Sequence, residues 1–126
     1  MANAYTNYKA ILTTSELTTL YTVGSATTGI IKSIRVSNID AENDCKISIY
    51  LVDSSSVSYN LQTDRTIKSN KSAELLATGV SNSGFGSTDS SFAPGTPIIV
   101  KESEAIKVQA ENGGDLHIIL SVLEIS

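Results

Sequence analysis

The residue types that carry most enzymatic chemistry are scarce in this chain. It has one histidine, His117, and one cysteine, Cys45. A Ser-His-Asp site would have to use His117, yet this residue lies within an alternating apolar stretch and no G-x-S-x-G elbow accompanies it. A nucleophilic cysteine needs an adjacent base to form its thiolate, and nothing in the spacing brings Cys45 and His117 together. We therefore expect no catalytic residues and no enzymatic activity.

Two short motifs have residue types that could hold an ion or a phosphate, and neither motif is complete. Asp40, Glu42 and Asp44 alternate as the oxygen ligands of a calcium loop can, but the glycine and the bidentate glutamate of an EF-hand are missing. The stretch Gly84–Gly86 begins like a phosphate-binding loop, but neither a third glycine nor a lysine follows at the required spacing. A solvated acidic turn and a glycine-rich loop are the simpler interpretations, so we expect no metal and no cofactor.

Alternation of apolar and polar residues dominates the elements that would position any site, and it predicts strands. In IIKSIRVSN the even positions place Ile30, Lys32, Ile34 and Val36 on one face. In the last apolar stretch, residues 115–124, one face is aliphatic and the other is half apolar, which predicts a central strand or one at an interface. The predicted strands are 8–13, 17–23, 30–38, 45–52, 56–62, 65–69, 72–78, 97–101, 105–110 and 115–124.

Short strands separated by turn signals, without helical patterns between them, predict an all-β protein. The expected fold is an antiparallel β-sandwich, either a jelly roll or an immunoglobulin-like sandwich. The 126 residues suit a single domain, residues 1–126, with an aliphatic core because tryptophan is absent. We expect an N-terminal arm at 1–9 and a long inserted loop at 79–97.

Charge and composition exclude several classes of partner. The formal net charge is −4 and the nine basic residues are scattered, which argues against a nucleic-acid-binding face. The sequence predicts neither a signal peptide nor a membrane span. A single cysteine allows no intrachain disulfide. The tyrosines form no evident row of the kind that glycan-binding sandwiches use, although Tyr50 and Tyr59 could pair across neighbouring strands.

Five phrases follow one another along the chain: LTTLYTV, TTGIIKSIRVSNID, CKISIYLVDSSSVSYNL, IIVKESEAIKVQA and IILSVLEIS. Their order resembles that in small virion structural proteins of tailed bacteriophages, of the marine and cyanophage type, over residues 5–78 and 97–126. The resemblance implies a β-sandwich that is made in the host cytoplasm and attached in many copies to the virion. The long loop at 79–97 departs from the family, in which this link is short.

We therefore expect a structural protein of a tailed-phage virion, and within that class a capsid decoration (cement) protein. The alternatives are a tail, neck or baseplate accessory protein and a glycan- or receptor-binding fibre module. The expected partners are other virion proteins and further copies of the chain, with no nucleic acid and no membrane.

The long loop is the predicted contact segment, because it holds both phenylalanines and both prolines of the chain. Ordering residues 79–97 would cost about 20–35 kcal/mol of backbone entropy, at about 1–2 kcal/mol per residue. Burying each phenylalanine recovers only about 1.5–3 kcal/mol, so we expect a partner to order the loop. The predicted partner-contact residues are Phe85, Asp89, Phe92, Pro94, Tyr5 and Tyr8.

Overall fold

The computed structural model describes residues 3–75, 97–111 and 115–126, and the regular structure of this part of the chain is all strand. Two antiparallel sheets pack face to face. The strands, in chain order, are β1 (Asn3–Leu12), β2 (Thr18–Thr22), β3 (Thr28–Asn38), β4 (Cys45–Val52), β5 (Ser58–Ile67), β6 (Ser72–Glu74), β7 (Ile98–Val100), β8 (Ala105–Ala110) and β9 (Leu116–Ile125).

The order of the strands is that of a jelly roll. The first sheet has the order β1-β9-β3-β6, with β7 also paired to β3, and the second sheet has the order β2-β8-β4-β5. The chain is therefore one long antiparallel ribbon that is rolled up: β1 pairs with β9, β2 with β8, β3 with both β6 and β7, and β4 with β5. The predicted all-β sandwich is confirmed. Its pairing is not the ABED/CFG arrangement of an immunoglobulin constant domain.

The core between the sheets is aliphatic, as the composition predicts. The alternate residues of β9, Leu116, Ile118, Leu120 and Val122, are all buried, and β9 lies between β1 and β3. Each such side chain stabilises the fold by about 1.5–3 kcal/mol when fully buried. The prediction that this strand is central is therefore confirmed.

The first strand begins earlier than its pattern suggested. From Asn3 onward, the segment predicted as an arm at residues 1–9 belongs to β1, which pairs with β9 without interruption from Asn3–Ile125 to Leu12–Leu116. The pairing is favourable because Tyr8, Ala10 and Leu12 alternate on the inner face and pack on or within the core. Residues 3–7 contain a single large apolar side chain, Tyr5, so the alternation that marks a strand is weak there.

Bulges account for the other differences from the predicted strands. The predicted strands 56–62 and 65–69 form the single strand β5, whose register with β4 shifts near Ile49. Asp64 takes a φ of 48° within this irregular part. Such a left-handed residue resembles a turn in the sequence although the strand continues through it.

The expected face assignment in β3 was wrong, also because of a bulge. A register shift lies between Ile31 and Ser33, and it exchanges the two faces of the strand. Ile31, Ile34 and Val36 are therefore all buried, whereas Lys32 is exposed. Strict alternation would have put the lysine ammonium group into the core, and the extra residue of the bulge lets it reach water.

A glycine in β3 makes the close approach of the two sheets possible. A Cβ atom at Gly29 would lie 2.6 Å from the hydroxyl oxygen of Tyr21, which is on β2 of the other sheet. We expect Gly29→Ala to lower the free energy of unfolding by about 1–3 kcal/mol, as overpacking does in other cores. Urea denaturation measures the change.

Gly24→Ala is the matched control, because a Cβ atom there meets nothing within 4 Å. It should change the stability by less than about 0.5 kcal/mol, as most surface substitutions do. Equal stability of the two variants would contradict this account of Gly29.

Candidate interaction surfaces

The structure separates the two predicted contact residues on β1. Tyr5 points to the outer face of the first sheet and is 76% exposed. Tyr8 points to the inner face, where it packs against the core and donates a hydrogen bond to Glu124. The other four predicted contacts lie outside the described residues: Phe85, Asp89, Phe92 and Pro94.

Tyr8 is part of a polar cluster that ties the two sheets together. The hydroxyls of Tyr8 and Tyr21 both donate to Oε2 of Glu124, at 3.1 and 2.9 Å, and the two ring centroids are 4.6 Å apart. Glu124 faces inward between Ala4 and Gly29, whose small size leaves room for the tyrosine rings. Tyr8, Tyr21 and Glu124 are here called the inter-sheet clasp.

The clasp brings together three of the five sequence phrases named above. Tyr21 belongs to LTTLYTV, Gly29 to TTGIIK and Glu124 to the terminal LEIS. These three phrases are distant in the sequence and meet at one point of the sandwich. They therefore mark a contact that holds the fold together, and sequence reasoning missed it because no local spacing connects the residues.

The outer face of the first sheet carries an apolar row. Directly opposite positions on four strands are occupied by Tyr5 of β1, Leu123 of β9, Ile30 of β3 and Ile99 of β7. Tyr5 and Ile99, at the two ends of the row, are 76% and 61% exposed, and the two central residues are half-buried. A continuous exposed apolar surface of this kind is typical of interaction sites.

The face that carries the apolar row also carries positive charge, although the chain is acidic overall. The next row on the same face is polar, with Asn7, Ser121 and Ser33, and the row after it carries Lys9, Ile119 and Arg35. Lys32, at the bulge in β3, is also exposed. The carboxylate of Glu74 opposes Arg35 in the register but accepts a hydrogen bond from the backbone N–H of Ile34 at 2.8 Å. The face therefore combines apolar side chains with cations.

The two ends of the long connection meet this sheet at one edge. β6 pairs with residues Arg35–Ser37 of β3, and β7 pairs with Gly29–Ile31. Leu75, after β6, donates its backbone N–H to the carbonyl of Ile34 at 2.8 Å. The segment that contains the predicted contacts therefore joins the sheet beside Ile99, at one end of the apolar row.

The outer face of the second sheet is polar. A groove of about 320 Å³ lies on this face, and it is lined by Ser15, Ser48, Tyr50, Asp64, Gln109, Ala110 and Glu111. The Ser48 hydroxyl donates to the Asp64 carboxylate at 3.4 Å and accepts from the Asp64 backbone N–H at 3.0 Å. The Tyr50 hydroxyl donates to Oε1 of Gln109 at 3.5 Å. The groove offers hydroxyl, amide and carboxylate groups and little apolar surface.

Tyr50 and Tyr59 do not pair across strands. Tyr50 lies opposite Asn60, and Tyr59 lies opposite Leu51. Opposite residues of an antiparallel pair point to the same side, so the two rings are on different faces of the sheet. The register of the β4–β5 hairpin, in which Val52 lies opposite Ser58, decides this, and the sequence does not reveal that register.

The residues considered for catalysis lie in different sheets of the sandwich. Cys45 is buried at the start of β4 in the second sheet. His117 alternates with the buried residues of β9 and so faces outward from the first sheet. Within residues 3–75, 97–111 and 115–126 there is also no group of three or more histidine, cysteine or acidic side chains that could hold a metal ion.

The acidic residues after β3 stabilise a turn. Asp40 accepts hydrogen bonds from the backbone N–H groups of Glu42 and Asn43, which lower the pKa of its carboxyl. Asp44 accepts one from the backbone N–H of Ser69 at 3.0 Å. These contacts stabilise the loop itself.

The described part of the chain contains no helix long and apolar enough to cross a membrane.

Comparison with known proteins gives a likeness of fold. The chain matches no protein-family model and no curated protein. It is similar to a chain in the acidic stable capsid structure of Helicobacter pylori bacteriophage KHP30, with 11% identity, a TM-score of 0.51 and coverage of 99% of this chain and 98% of that one. It is also similar to a chain of the cyanophage Pam1 capsid asymmetric unit, with 13% identity, a TM-score of 0.44 and coverage of 97% and 83%.

The clasp should make stability sensitive to alkaline pH. Burial, and then the hydrogen bond to Glu124, raise the pKa of the Tyr21 hydroxyl above its ordinary value near 10. Above about pH 10 an unfolded tyrosine loses its proton while folded Tyr21 keeps it, so the unfolded state binds fewer protons and stability falls as pH rises. Urea denaturation between about pH 8 and 11 should show a shallower decline for Tyr21→Phe than for the parent.

Tyr59→Phe is the control, because it removes a hydroxyl from an exposed ring. Its stability should decline with pH as that of the parent does. If the stability of Tyr21→Phe also declines with pH in parallel with that of the parent, the clasp does not cause the loss of stability at alkaline pH.

Proposed function

We propose that this protein is a structural protein of a tailed-phage virion, and specifically a capsid decoration protein that binds the particle surface in many copies. The observation that carries the proposal is the end-to-end likeness of the sandwich to a chain from a phage capsid structure, over 99% and 98% of the two chains. The resemblance of the five sequence phrases to those of small phage virion proteins supports the same proposal. Such a role requires binding surfaces and no catalytic site.

The apolar row is the surface that suits attachment to a protein shell. The two outer faces of the sandwich differ, since one carries Tyr5, Leu123, Ile30 and Ile99 in line and the other carries a polar groove. Burying a large apolar side chain contributes about 1.5–3 kcal/mol, and contacts at many sites add by avidity. We assign the row to the contact with the shell.

The long connection extends the same proposal. Phe85 and Phe92 remain predicted anchors, and Asp89 and Pro94 remain predicted contacts, because their segment joins the sheet beside Ile99. A tail, neck or baseplate position would use the same surface on a different partner. A position on the capsid surface and one at the tail, neck or baseplate would differ in the number of copies and not in the surface of this chain that makes the contact.

Ile99→Ser tests the assignment of the row. Ile99 is 61% exposed, so the substitution should leave folding intact and weaken binding to particles by roughly tenfold, equivalent to about 1.4 kcal/mol of lost burial. The measurement is co-sedimentation of the purified protein with particles of the source phage that lack this protein. Such particles are obtained by stripping the protein off or by deleting its gene.

Val57→Ser is the matched control, because Val57 is 46% exposed in the turn after β4, away from the row. It should bind as the parent does. Unchanged binding of Ile99→Ser would refute the role of the row, and failure of the parent to bind particles would refute the virion role itself.

The polar groove favours a second candidate, a glycan- or receptor-binding fibre module. Asp64, Gln109 and Tyr50 have the groups that bind sugar hydroxyls, in a groove of about 320 Å³. Binding to a glycan array that Asp64→Ala abolishes and Ile99→Ser retains would support this function. An array without hits would exclude it.

A further inference from the structure

Each sheet of the sandwich has two edges, and an unprotected edge strand is a template for pairing with another chain. Proteins protect such edges with short strands, bulges, charges, prolines or covering segments. The four edges here are formed by β1 and by β6 with β7 in the first sheet, and by β2 and β5 in the second. Comparing them shows which edge is open.

Three edges carry protective features. β6 and β7 have three residues each and are separated at the bulge of β3, where the Glu74 carboxylate binds the backbone N–H of Ile34. β2 has five residues and a register shift against β8. β5 has an irregular register, a left-handed residue at Asp64 and the charged Arg65 beside it.

The edge formed by β1 has almost no such protection. Its ten residues pair with β9 without a register shift, and among the described strands β9 is its only partner. The strand NAYTNYKAIL contains neither proline nor glycine, and Lys9 is its single charge. Tyr5 and Ile11 are 76% and 65% exposed on its outer side. This long, regular and weakly charged edge suits addition of a further strand.

The strand is also complementary to itself. Opposite residues of an antiparallel pair point to the same side, so two copies continue one sheet only if outward residues oppose outward residues. With Asn7 opposite Asn7 of a second copy, Tyr5 lies opposite Lys9 and Asn3 opposite Ile11. The two Lys9 residues are then four positions apart, about 14 Å along the strand at about 3.4 Å per residue.

Other registers are less favourable. Moving the axis to Tyr8 brings the two lysines to within about 7 Å along the strand, and moving it to Lys9 puts them face to face. Like charges opposed across strands are destabilising, whereas Lys9 beside the ring of Tyr5 is a favourable cation–π pair. Repulsion between the lysines therefore disfavours axes at Tyr8 and Lys9, and the pairing of Lys9 with Tyr5 favours the register that is centred on Asn7.

We infer that two copies of this chain associate through β1, antiparallel across a two-fold axis at Asn7, so that their first sheets form one continuous sheet. The occupant of the β1 edge is a second copy of the same strand. The inference deepens the proposed function by naming a contact between copies, and it leaves Ile99 and its end of the apolar row free to bind the particle.

Cysteine cross-linking tests the register directly. Opposed Cα atoms in an antiparallel pair are about 4.5–5.5 Å apart, within the range that a disulfide spans. Asn7→Cys should therefore give a covalent dimer under mild oxidation, whereas Lys9→Cys should remain monomeric on a non-reducing gel. Cys45 is buried and is common to both variants, so it serves as an internal control.

Charge exchange at the axis tests the same contact without oxidation. The parent should have the mass of a dimer in light scattering, and Asn7→Lys alone and Asn7→Asp alone should each weaken the dimer by roughly fivefold. An equal mixture of the two should restore it. Asn60→Lys, an exposed substitution on the β5 edge, should leave the dimer unchanged.

Three results would overturn the inference: a monomeric parent at about 100 μM, cross-linking of Lys9→Cys as fast as that of Asn7→Cys, or faster cross-linking between the two cysteine variants than within Asn7→Cys. These measurements use the isolated chain. A protein that dimerises but does not bind particles would refute the proposed function alone, and one that binds particles as a monomer would refute the inference alone.

Discussion

The whole sandwich depends on β9, because the inner face of this strand packs in the core while its outer face forms part of the exposed surface of the first sheet. Its inner face, Leu116 to Val122 at alternate positions, fills the centre of the core, and its flanks hold β1 and β3. Near its end, Glu124 points inward and accepts hydrogen bonds from the hydroxyls of Tyr8 and Tyr21. Because Tyr21 belongs to the second sheet, these bonds tie the two sheets together. Its outer face carries Leu123 in the apolar row. The core and the proposed binding surface therefore share one strand.

The two outer faces and four edges of the sandwich are unequal, and this inequality is the physical basis of the functional argument. One face is apolar and cationic and the other is polar, with side chains that bond to one another. Three edges are interrupted or charged and β1 is regular. A protein whose role is assembly needs this kind of asymmetry, because each copy must present one surface to the particle and another to its neighbours.

Sequence patterns predicted most strands because alternation is a local property. They did not predict the bulge between Ile31 and Ser33, since it is a shift in the register of β3 with β9, a strand that is distant in the chain. The clasp joins residues 116 positions apart, Tyr8 and Glu124, so no spacing rule could reveal it. Tyr5 was predicted as a contact, but its alignment with Ile99 depends on the register of four strands.

The most direct test of the central claim is the number of copies of this chain in a purified particle of the source phage. Quantitative mass spectrometry of gradient-purified particles, referenced to the major capsid protein, gives this number. A decoration protein predicts hundreds of copies in a fixed ratio to the capsid protein. A single ring of a few subunits would place the chain at the neck or baseplate, and its absence from particles would contradict the account.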